Sequence, residues 1–295
     1  MDSHVISNLA ARVDSFPALP TVVTRVMQVT ADPDSSVDDL MRVVMLDQSL
    51  VTLVLKTANS AFLGLPRKVD SIQQALTILG FAEIQNMALA KGVFDSFKNL
   101  KKGNQFDINR FWEHSFLCAI SARILAVDFR SPRNDFFLAG LIHDIGKLAM
   151  VMWFPAQFSR IIEIAGPLNL RTYPAEKEVL GMTHEDVGMA LLDRWLFPNN
   201  LISVVGFHHR PREAGNQRLF ALVVHIADLL AHLNGCGDNE KNCKNSLGKS
   251  LFSAEIANMC ESQGIEWNGS VLEKVNQELM RRKEEEAGFL DLLIS

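Results

Sequence analysis

The pattern of apolar and polar positions predicts α-helices along nearly the whole chain. Apolar residues recur three and four positions apart, as on one face of a helix, and the two-residue alternation of a half-buried strand is almost absent. One such stripe after Pro20 consists of Val22, Val23, Val26, Met27 and Val29. Its β-branched residues are also compatible with a strand, but their spacing favours a helix. We therefore predict an all-α fold, with an N-terminal helical bundle followed by a half built from longer helices.

Capping residues mark where several of these helices begin and end. Residues 36–39 and 183–186 have the spacing of a capping box. Ser71 is placed to cap a helix over 72–79, and Gly80 is placed to end it. Further helices are predicted over 81–94, 109–129, 135–150 (with Asp135 as its cap), 184–195, 198–209 and 218–233.

Two polar stretches divide the chain. Residues 98–104 interrupt the helical pattern, and 235–246 is rich in Gly, Asn, Lys and Cys, which predicts a flexible or exposed loop. We predict a helical subdomain over 1–100, a second helical subdomain over 101–235, and a loop with C-terminal helices over 236–295.

Composition and charge exclude several classes of protein. A net charge of −5 and a pI of about 5.9 argue against a dedicated nucleic-acid binder, so no DNA partner is expected. The first residues have no basic stretch leading into an apolar run, and no segment approaches 18 uncharged apolar residues. The four cysteines have no paired CxxC spacing, which fits reduced thiols. We expect a soluble, cytoplasmic protein without a membrane partner.

Five of the eight histidines form an ordered series with two aspartates. Imidazole and carboxylate groups bind zinc, iron or manganese, and two carboxylates with several imidazoles are enough for two ions. Neighbouring side chains on a helix diverge by about 100°, but a core lined from several helices can still direct both toward one ion. The candidate metal ligands are His114, His143, Asp144, His184, His208, His209 and Asp228.

Taken singly, most of these residues also have a structural explanation. His114 fits a core or surface histidine, His184 fits a local role after a helix cap, and the pair at 208–209 fits a basic helix end. Asp228 follows apolar residues and needs a partner in such surroundings. The structural interpretation is preferred for two histidines outside the series, His225 and His232.

Three further polar residues near the series have open roles. Lys147, one turn after His143, is placed either to hold a substrate phosphate or to complement a helix C-terminus. Glu185 either supports a metal ligand or interacts favourably with the first turn of its helix. Glu113 is expected to be exposed.

The string His143-Asp144-Ile145-Gly146-Lys147, with a histidine upstream and an aspartate downstream, resembles the HD superfamily of metal-dependent phosphohydrolases. The more specific resemblance, over about residues 15–235, is to the HDOD domain, an HD-related output domain of bacterial signalling proteins. The motifs that carry it are Leu19-Pro20, Asp47-Gln48-Ser49-Leu50, Ala58-Asn59-Ser60-Ala61, Ser71-Ile72-Gln73-Gln74-Ala75-Leu76, Leu79-Gly80, Thr183-His184-Glu185-Asp186-Val187-Gly188, Trp195-Leu196-Phe197-Pro198 and Phe207-His208-His209.

This resemblance implies an all-helical fold with an N-terminal bundle and an HD-like second half. It also implies a two-metal site, because every position expected for one is filled by the seven candidate ligands. The related HD-GYP phosphodiesterases, which degrade cyclic di-GMP, hold iron or manganese with such a set. Residues 210–215 lack the Gly-Tyr-Pro motif of those enzymes, however, and the chain's one tyrosine is Tyr173. Many HDOD proteins have lost HD ligands and are thought to act as interaction or regulatory modules.

Two main hypotheses follow. The first is a regulatory signalling module that binds protein partners and carries a divalent transition-metal centre of two ions, iron in the first place, with manganese, nickel or zinc as alternatives. The second is a metal-dependent phosphohydrolase or phosphodiesterase acting on a nucleotide or cyclic nucleotide, with Asp144 and Lys147 as catalytic residues and a phosphate bound at the metals. A redox-responsive di-iron sensor is a third hypothesis.

Overall fold

The prediction of an all-α fold is confirmed. The computed structural model describes residues 17–59, 67–100, 106–129, 135–165, 172–235 and 241–294, and these contain helices and no strand. The N-terminal helices are α1 (Thr21–Ala31), α2 (Val37–Val44), α3 (Gln48–Ala58) and α4 (Ile72–Phe97). The central helices are α5 (Ile108–Asp128), α6 (Phe136–Ile142), α7 (Ile145–Trp153), α8 (Pro155–Ala165), α9 (Tyr173–Leu180), α10 (His184–Arg194), α11 (Asn199–Phe207) and α12 (Arg218–Gly235). The last helices are α13 (Lys241–Leu251), α14 (Ala254–Ser262), α15 (Gly269–Glu285) and α16 (Ala287–Ile294).

The predicted helix caps form at most of the expected positions. Ser36 and Thr183 each make a complete capping box with the residue three positions later. The Ser71 hydroxyl accepts a hydrogen bond from the Gln74 backbone N–H at 3.2 Å. Asp135 precedes α6 but makes no side-chain cap there, since its carboxylate accepts a hydrogen bond from Asn200 instead. Local sequence therefore defines most helix starts correctly.

Gly80 interrupts α4, as predicted. Its φ of 79° and ψ of 168° lie in a region that only glycine populates readily. The helical segments on either side are consequently joined through a sharp kink rather than continuing straight.

The side chains of Asn59 and Trp195 make hydrogen bonds that join separate parts of the chain. The Asn59 side chain both accepts from the Val69 backbone N–H at 2.8 Å and donates to the Val69 carbonyl at 2.7 Å, so it ties the end of α3 to the approach to α4. The indole N–H of Trp195, at the end of α10, donates to the Pro17 carbonyl at 2.7 Å. The first pair of bonds fixes α3 against α4, and the bond from Trp195 joins the N-terminal bundle to the central helices.

The hydrophobic core is continuous among the described residues of all three predicted segments, with fully buried members such as Leu53, Leu141 and Leu279. Each such leucine contributes roughly 1.5–3 kcal/mol by its removal from water. The division of the chain at residues 100 and 235 stays a prediction, and residues 101–105 lie outside the described part.

The central helices are arranged around α5. Helices α6 and α12 pack against α5, α10 packs against both α7 and α11, and α15 also packs against α5. The ends and inner faces of α5, α7, α10 and α12 therefore meet in one region of the core. Three of the seven candidate metal ligands lie on α5, α10 and α12, and the other four lie in the turns that follow α6 and α11.

Three predictions of secondary structure are wrong, one of them the uninterrupted helix through residues 143–144. The loop predicted over 235–246 contains the start of α13 at Lys241. The sequence of α13 is mostly polar and therefore did not indicate a helix, although α13 packs against α12. The helix predicted over 198–209 ends at Phe207, which leaves His208 at the C-cap and His209 in the following turn. Residues 236–240 lie outside the described part.

Two apolar stretches have the length and composition of a membrane span, Phe136–Trp153 and Gly215–Gly235. In the 18-residue window that defines each stretch, 72% and 61% of the residues are buried inside the protein, as is typical of core helices. Cys118 and Cys260 are buried free thiols. The structure is thus consistent with a soluble protein, and the cytoplasmic location stays a prediction.

Candidate metal centre

His143 and Asp144 form the junction between α6 and α7. His143 still has helical backbone angles, but Asp144 has φ −97° and ψ 10°, so the continuous helix predicted over 135–150 is wrong. The helix is interrupted at this turn, where α6 ends and α7 begins. On a continuous helix the two side chains would diverge by about 100°. The turn instead lets both face the same region of the core.

Two glycines bring this junction close to its neighbours. A Cβ atom on Gly140 would lie 2.8 Å or less from the backbone of α5 at Ala119. A Cβ atom on Gly146 would lie 2.8 Å from the Gly188 backbone nitrogen and closer still to the His184 carbonyl oxygen. Any side chain larger than hydrogen would therefore push α6 from α5, or α7 from α10.

One group of donors surrounds Oδ1 of Asp144. This oxygen lies 3.2 Å from Nε2 of His184 and 3.7 Å from Nε2 of His208. Nε2 of His184 lies 3.3 Å from Nε2 of His208 and 3.2 Å from Nε2 of His209. Asp144, His184 and His208 are almost completely buried. Four donor atoms from the α6–α7 junction, α10 and the end of α11 thus form one cluster able to hold an ion.

A second group of donors lies on the other side of the same carboxylate. Oδ2 of Asp144 is 3.4 Å from Nε2 of His143 and 3.9 Å from Nε2 of His114. Oδ1 of Asp228 is 3.0 Å from Nε2 of His114 and 3.4 Å from Nε2 of His143. The structure therefore brings all seven predicted ligands together, in two groups that share Asp144.

Hydrogen bonds at the opposite ring nitrogen orient three of the imidazoles. Nδ1 of His143 donates to the Gly140 carbonyl at 2.8 Å, and Nδ1 of His208 donates to the Val205 carbonyl at 2.9 Å. Nδ1 of His184 donates to the Glu176 carboxylate at 2.7 Å. A neutral imidazole that donates through Nδ1 carries a lone pair on Nε2. When these rings are neutral, three lone pairs point into the cluster, as at metal sites where an outer partner fixes the tautomer.

The donor atoms fit a bound metal ion. Bonds of about 2.1 Å place neighbouring ligand atoms about 3.0 Å apart at right angles and about 3.4 Å apart at tetrahedral angles. Most separations above fall in this range. Four buried atoms of the candidate ligands have no aligned hydrogen-bond partner, namely Nε2 of His114, Nε2 of His143, Oδ1 of Asp144 and Oδ1 of Asp228. Buried polar atoms without partners are costly, and a cation placed among them would satisfy all four.

The electrostatics leave Asp144, His208 and His209 in their metal-binding forms. Burial lowers the pKa of His143 and His184, but nearby acidic groups outweigh it and raise both pKa values, so these two rings must lose a proton when an ion binds. Burial raises the pKa of Asp144, but the charges of Lys147, His143 and His184 outweigh it and hold that pKa well below its ordinary value. Burial, together with the neighbouring imidazoles, lowers the pKa of His208 and His209 well below the ordinary value. At neutral pH the shared carboxylate is ionised and these two rings are neutral. This is the state in which such groups coordinate cations.

Lys147 is held against the shared carboxylate. Its Nζ lies 2.5 Å from Oδ2 of Asp144, and its side chain is 13% exposed. Because Lys147 lies in the first turn of α7 rather than its last, the interpretation that it complements a helix C-terminus is wrong. Its ammonium group lies beside the cluster, where it compensates the buried negative charge.

Structural roles are expected from the sequence for His232 and His225, but the structure places His232 in the cluster. His232, expected to be structural, has Nε2 3.3 Å from Oδ1 of Asp228 and its ring 4.3 Å from that of His114. The signal for it was its position four residues after Asp228 on one helix, since such pairs share a face. Burial and the nearby His114 lower the pKa of His232 to about 3. His225 does have the expected structural contact, a hydrogen bond from Nδ1 to the His208 carbonyl at 2.7 Å.

Two acidic residues support the histidines from outside the cluster. Fully buried Glu176 accepts hydrogen bonds from both the backbone N–H and the ring of His184, and the sequence offered no signal for this contact. Glu185, also fully buried, accepts from the His209 backbone N–H at 2.9 Å and from Arg210 at 3.1 Å. Glu185 therefore does more than interact with its own helix turn. Glu113 is exposed, as expected.

Tyr173 also reaches this region from the start of α9. Its ring centroid lies 5.3 Å from that of His209 and 6.2 Å from that of His184. The chain's one tyrosine, although distant in sequence from the histidine pair, thus borders the first group of donors.

Comparison with known proteins agrees with this architecture. Residues 16–211 match the HDOD domain. A curated protein of Treponema pallidum (strain Nichols), itself uncharacterised, is 24% identical over 209 residues, which are 70% of this chain and 40% of that protein. The chain therefore spans less than half the length of that relative.

Solved structures share the fold. An HDOD domain protein of unknown function from Geobacter sulfurreducens superposes with a TM-score of 0.73 at 20% identity, covering 98% of this chain and 96% of that one. A protein of Shewanella amazonensis SB2B, provisionally named a phosphohydrolase, gives a TM-score of 0.71 at 24% identity, covering 97% and 98%. Because the HDOD match covers well over half of its residues, the chain belongs to the HDOD family.

Proposed function

We propose that this protein is a regulatory HDOD module of bacterial signal transduction whose HD-like half holds two divalent transition-metal ions bridged by Asp144. The observation that carries the proposal is the placement of that carboxylate between two groups of imidazoles. Oδ1 lies 3.2 Å from His184, and Oδ2 lies 3.4 Å from His143. A carboxylate with a different set of nitrogens at each oxygen is suited to bridge two ions.

The donor chemistry favours a later transition metal. Imidazole nitrogens outnumber carboxylate oxygens in the first group, in which three histidines accompany one aspartate. Such sets suit iron, nickel and zinc, whereas magnesium and calcium require mainly oxygen ligands. We propose iron as the resident metal, with manganese, nickel or zinc as alternatives.

Burial of the ligands supports a regulatory centre over a catalytic one. The side chains of His143, His184 and His208 are 0% exposed, and Asp144 is 3% exposed. Lys147, the residue best placed to hold a substrate phosphate, is already paired with the shared carboxylate. In this proposal the metals stabilise the arrangement of α5, α7, α10 and α12, and signalling proteins bind the outer surface of the module.

The complete ligand set supports a second candidate, a phosphohydrolase acting on a nucleotide or cyclic nucleotide. Bound ions would polarise a phosphate and supply a hydroxide nucleophile at neutral pH. For this reaction Asp144 would hold both ions in register. Lys147 would have to release Asp144 in part and donate to a non-bridging phosphate oxygen. Tyr173, at the edge of the first group, would then face the substrate.

Metal analysis combined with a turnover assay tests both candidates. The protein is purified without chelators, its metal content is measured by elemental analysis, and it is incubated with cyclic dinucleotides and nucleotide phosphates. About two ions per chain without turnover is the result expected for the regulatory module. Turnover that Asp144→Asn abolishes would establish the enzyme instead. Fewer than one ion per chain, even after incubation with Fe²⁺, Mn²⁺ or Zn²⁺, would overturn both.

A further inference from the structure

His232 lies where a metal ligand would be expected, although neither the HD motif nor its spacing includes it. It is on α12, one turn after Asp228, and its Nε2 lies 3.3 Å from Oδ1 of that aspartate. Nε2 of His114, from α5, lies 3.0 Å from the same oxygen. The donor atoms of these three residues all lie within 4.8 Å of one another.

We propose that His232 is a protein ligand of the second metal ion, so that His114, Asp228 and His232 form a three-donor face for it. The inference rests on the metal centre proposed above. The separations of 3.0 and 3.3 Å are those of neighbouring ligands on an ion with bonds of about 2.1 Å. His232 would thereby make the second ion as rich in imidazole as the first.

The geometry at Asp228 favours a shared cation over ordinary hydrogen bonds. Three ring nitrogens, from His114, His143 and His232, lie 3.0–3.4 Å from its Oδ1. This buried oxygen nevertheless has no aligned hydrogen-bond partner. Nitrogens gathered around an oxygen without alignment along N–H directions are arranged as ligands of a common ion are.

The position of His232 on the helix makes the arrangement rigid. Residues four apart on a helix lie on the same face, so Asp228 and His232 are held at a fixed spacing by α12 itself. Asp228 is almost completely buried and the His232 side chain is 14% exposed. Two ligands on one packed helix, facing a third on α5, need no loop to move before an ion binds.

The added imidazole has a consequence for metal choice. With His143 on the other side, the second group contains three imidazoles and the carboxylates of Asp144 and Asp228. Imidazole binds cobalt, nickel and zinc more tightly than manganese or magnesium, following the general order of stability of these ions. The second site should therefore prefer Zn²⁺ and Co²⁺ to Mn²⁺, and His232 should be responsible for part of that preference.

The test compares the full-length wild type with His232→Phe, which keeps an aromatic ring beside His114 but removes the nitrogen. Metal-free protein is titrated with Co²⁺ and with Zn²⁺, followed by calorimetry and by the visible absorption of bound Co²⁺. Two binding events are expected for the wild type. In the variant the first should be unchanged, and the second should weaken at least tenfold, the lower end of what loss of a supporting metal-site contact costs.

Controls separate this inference from the proposed centre. Asn234→Ala, on the same helix, removes a side chain that bonds to Leu230 and Asn276 away from the cluster, and it should leave both affinities unchanged. His232→Glu, which supplies a carboxylate donor, should bind the second ion and shift its preference toward Mn²⁺. If His232→Phe binds two ions with wild-type affinities and gives the wild-type Co²⁺ spectrum, only the role of His232 is overturned. A wild type that binds no ion would overturn the centre itself.

Discussion

Replacing Gly146 with alanine should separate the two helices next to the candidate ligands Asp144 and His184. The residue lies in the first turn of α7, opposite the start of α10. An added Cβ would lie 2.8 Å from the Gly188 nitrogen and closer still to the His184 carbonyl oxygen, whereas 3.4 Å is an ordinary contact. Both neighbours are backbone atoms that cannot rotate away. The contact with the Gly188 nitrogen alone requires the helices to separate by about 0.6 Å, and the shorter contact with the His184 carbonyl oxygen requires more.

Two effects of known size follow from this separation. Overpacking in a core costs about 1–3 kcal/mol, and more where backbone rather than a side chain must shift. For a protein of this size, each kcal/mol lowers the melting temperature by about 2–4 °C. The shift also lengthens the 3.2 Å separation between Asp144 and His184, which an ion with bonds of about 2.1 Å bridges only up to about 4.2 Å. Metal affinity should therefore fall with stability.

Unfolding in denaturant and calorimetric titration with Zn²⁺ measure the two effects on Gly146→Ala. The matched control is Gly248→Ala in α13, where an added Cβ has no neighbour within 4 Å. That substitution should stabilise the protein by about 0.4–1 kcal/mol, because alanine has less freedom than glycine in the unfolded chain. If Gly146→Ala keeps wild-type stability and wild-type Zn²⁺ affinity, the close approach of α7 and α10 is not as described.

Two further predictions concern contacts around the cluster, and a third concerns the packing of the C-terminal helices. Glu176→Gln should weaken metal binding about 10- to 100-fold by calorimetry, since it removes the charge that orients His184. Glu178→Gln, on the exposed side of the same helix, should leave metal affinity unchanged. An equal loss of metal affinity in both variants would refute the role given to Glu176. Burial lowers the pKa of His232 from 6.5 to about 3, so its neutral form contributes stability above pH 6.5 that is lost as the pH falls toward 3. In urea unfolding, metal-free wild type should therefore lose stability relative to His232→Phe by up to about 1.4 kcal/mol for each pH unit below 6.5. Parallel stability profiles of the two proteins against pH would contradict this prediction. Arg123→Leu should lower the free energy of unfolding by about 1–3 kcal/mol in the same assay, because the Arg123 guanidinium donates to both oxygens of the mostly buried Glu286 carboxylate. An unchanged unfolding midpoint would show that this pair does not stabilise the packing of the C-terminal helices on α5.

The helices and their starts were predictable because they depend on local chemistry. Apolar spacing predicted the all-α fold, and the hydroxyls of Ser36, Ser71 and Thr183 cap the helices that follow them. Gly80 breaks α4 because its backbone angles suit no other residue. In contrast, α13 was missed since its polar sequence has little apolar periodicity, and its helix depends on packing against α12.

Part of the candidate site was also predictable. Seven residues of ligand type stand in an order that resembles the HD pattern, and all seven meet in the core. The roles of Glu176, His232 and Tyr173 were not visible in that order. Glu176 and Tyr173 contact histidines of other helices or turns. His232 lies on the same helix as Asp228, and the sequence alone does not define which face of that helix points toward the cluster.

The sequence by itself determined the helices, the types of donor atom and the residues that cap and break the backbone, because these depend on neighbours within a few positions. Only the tertiary structure decided which of these donor atoms lie together. The turn between α6 and α7 directs His143 and Asp144 to one place, and the absence of a side chain at Gly146 lets α10 bring His184 to the same carboxylate. Distances of about 3 Å between ligands depend on how several helices pack, and helix packing is a property of the whole core.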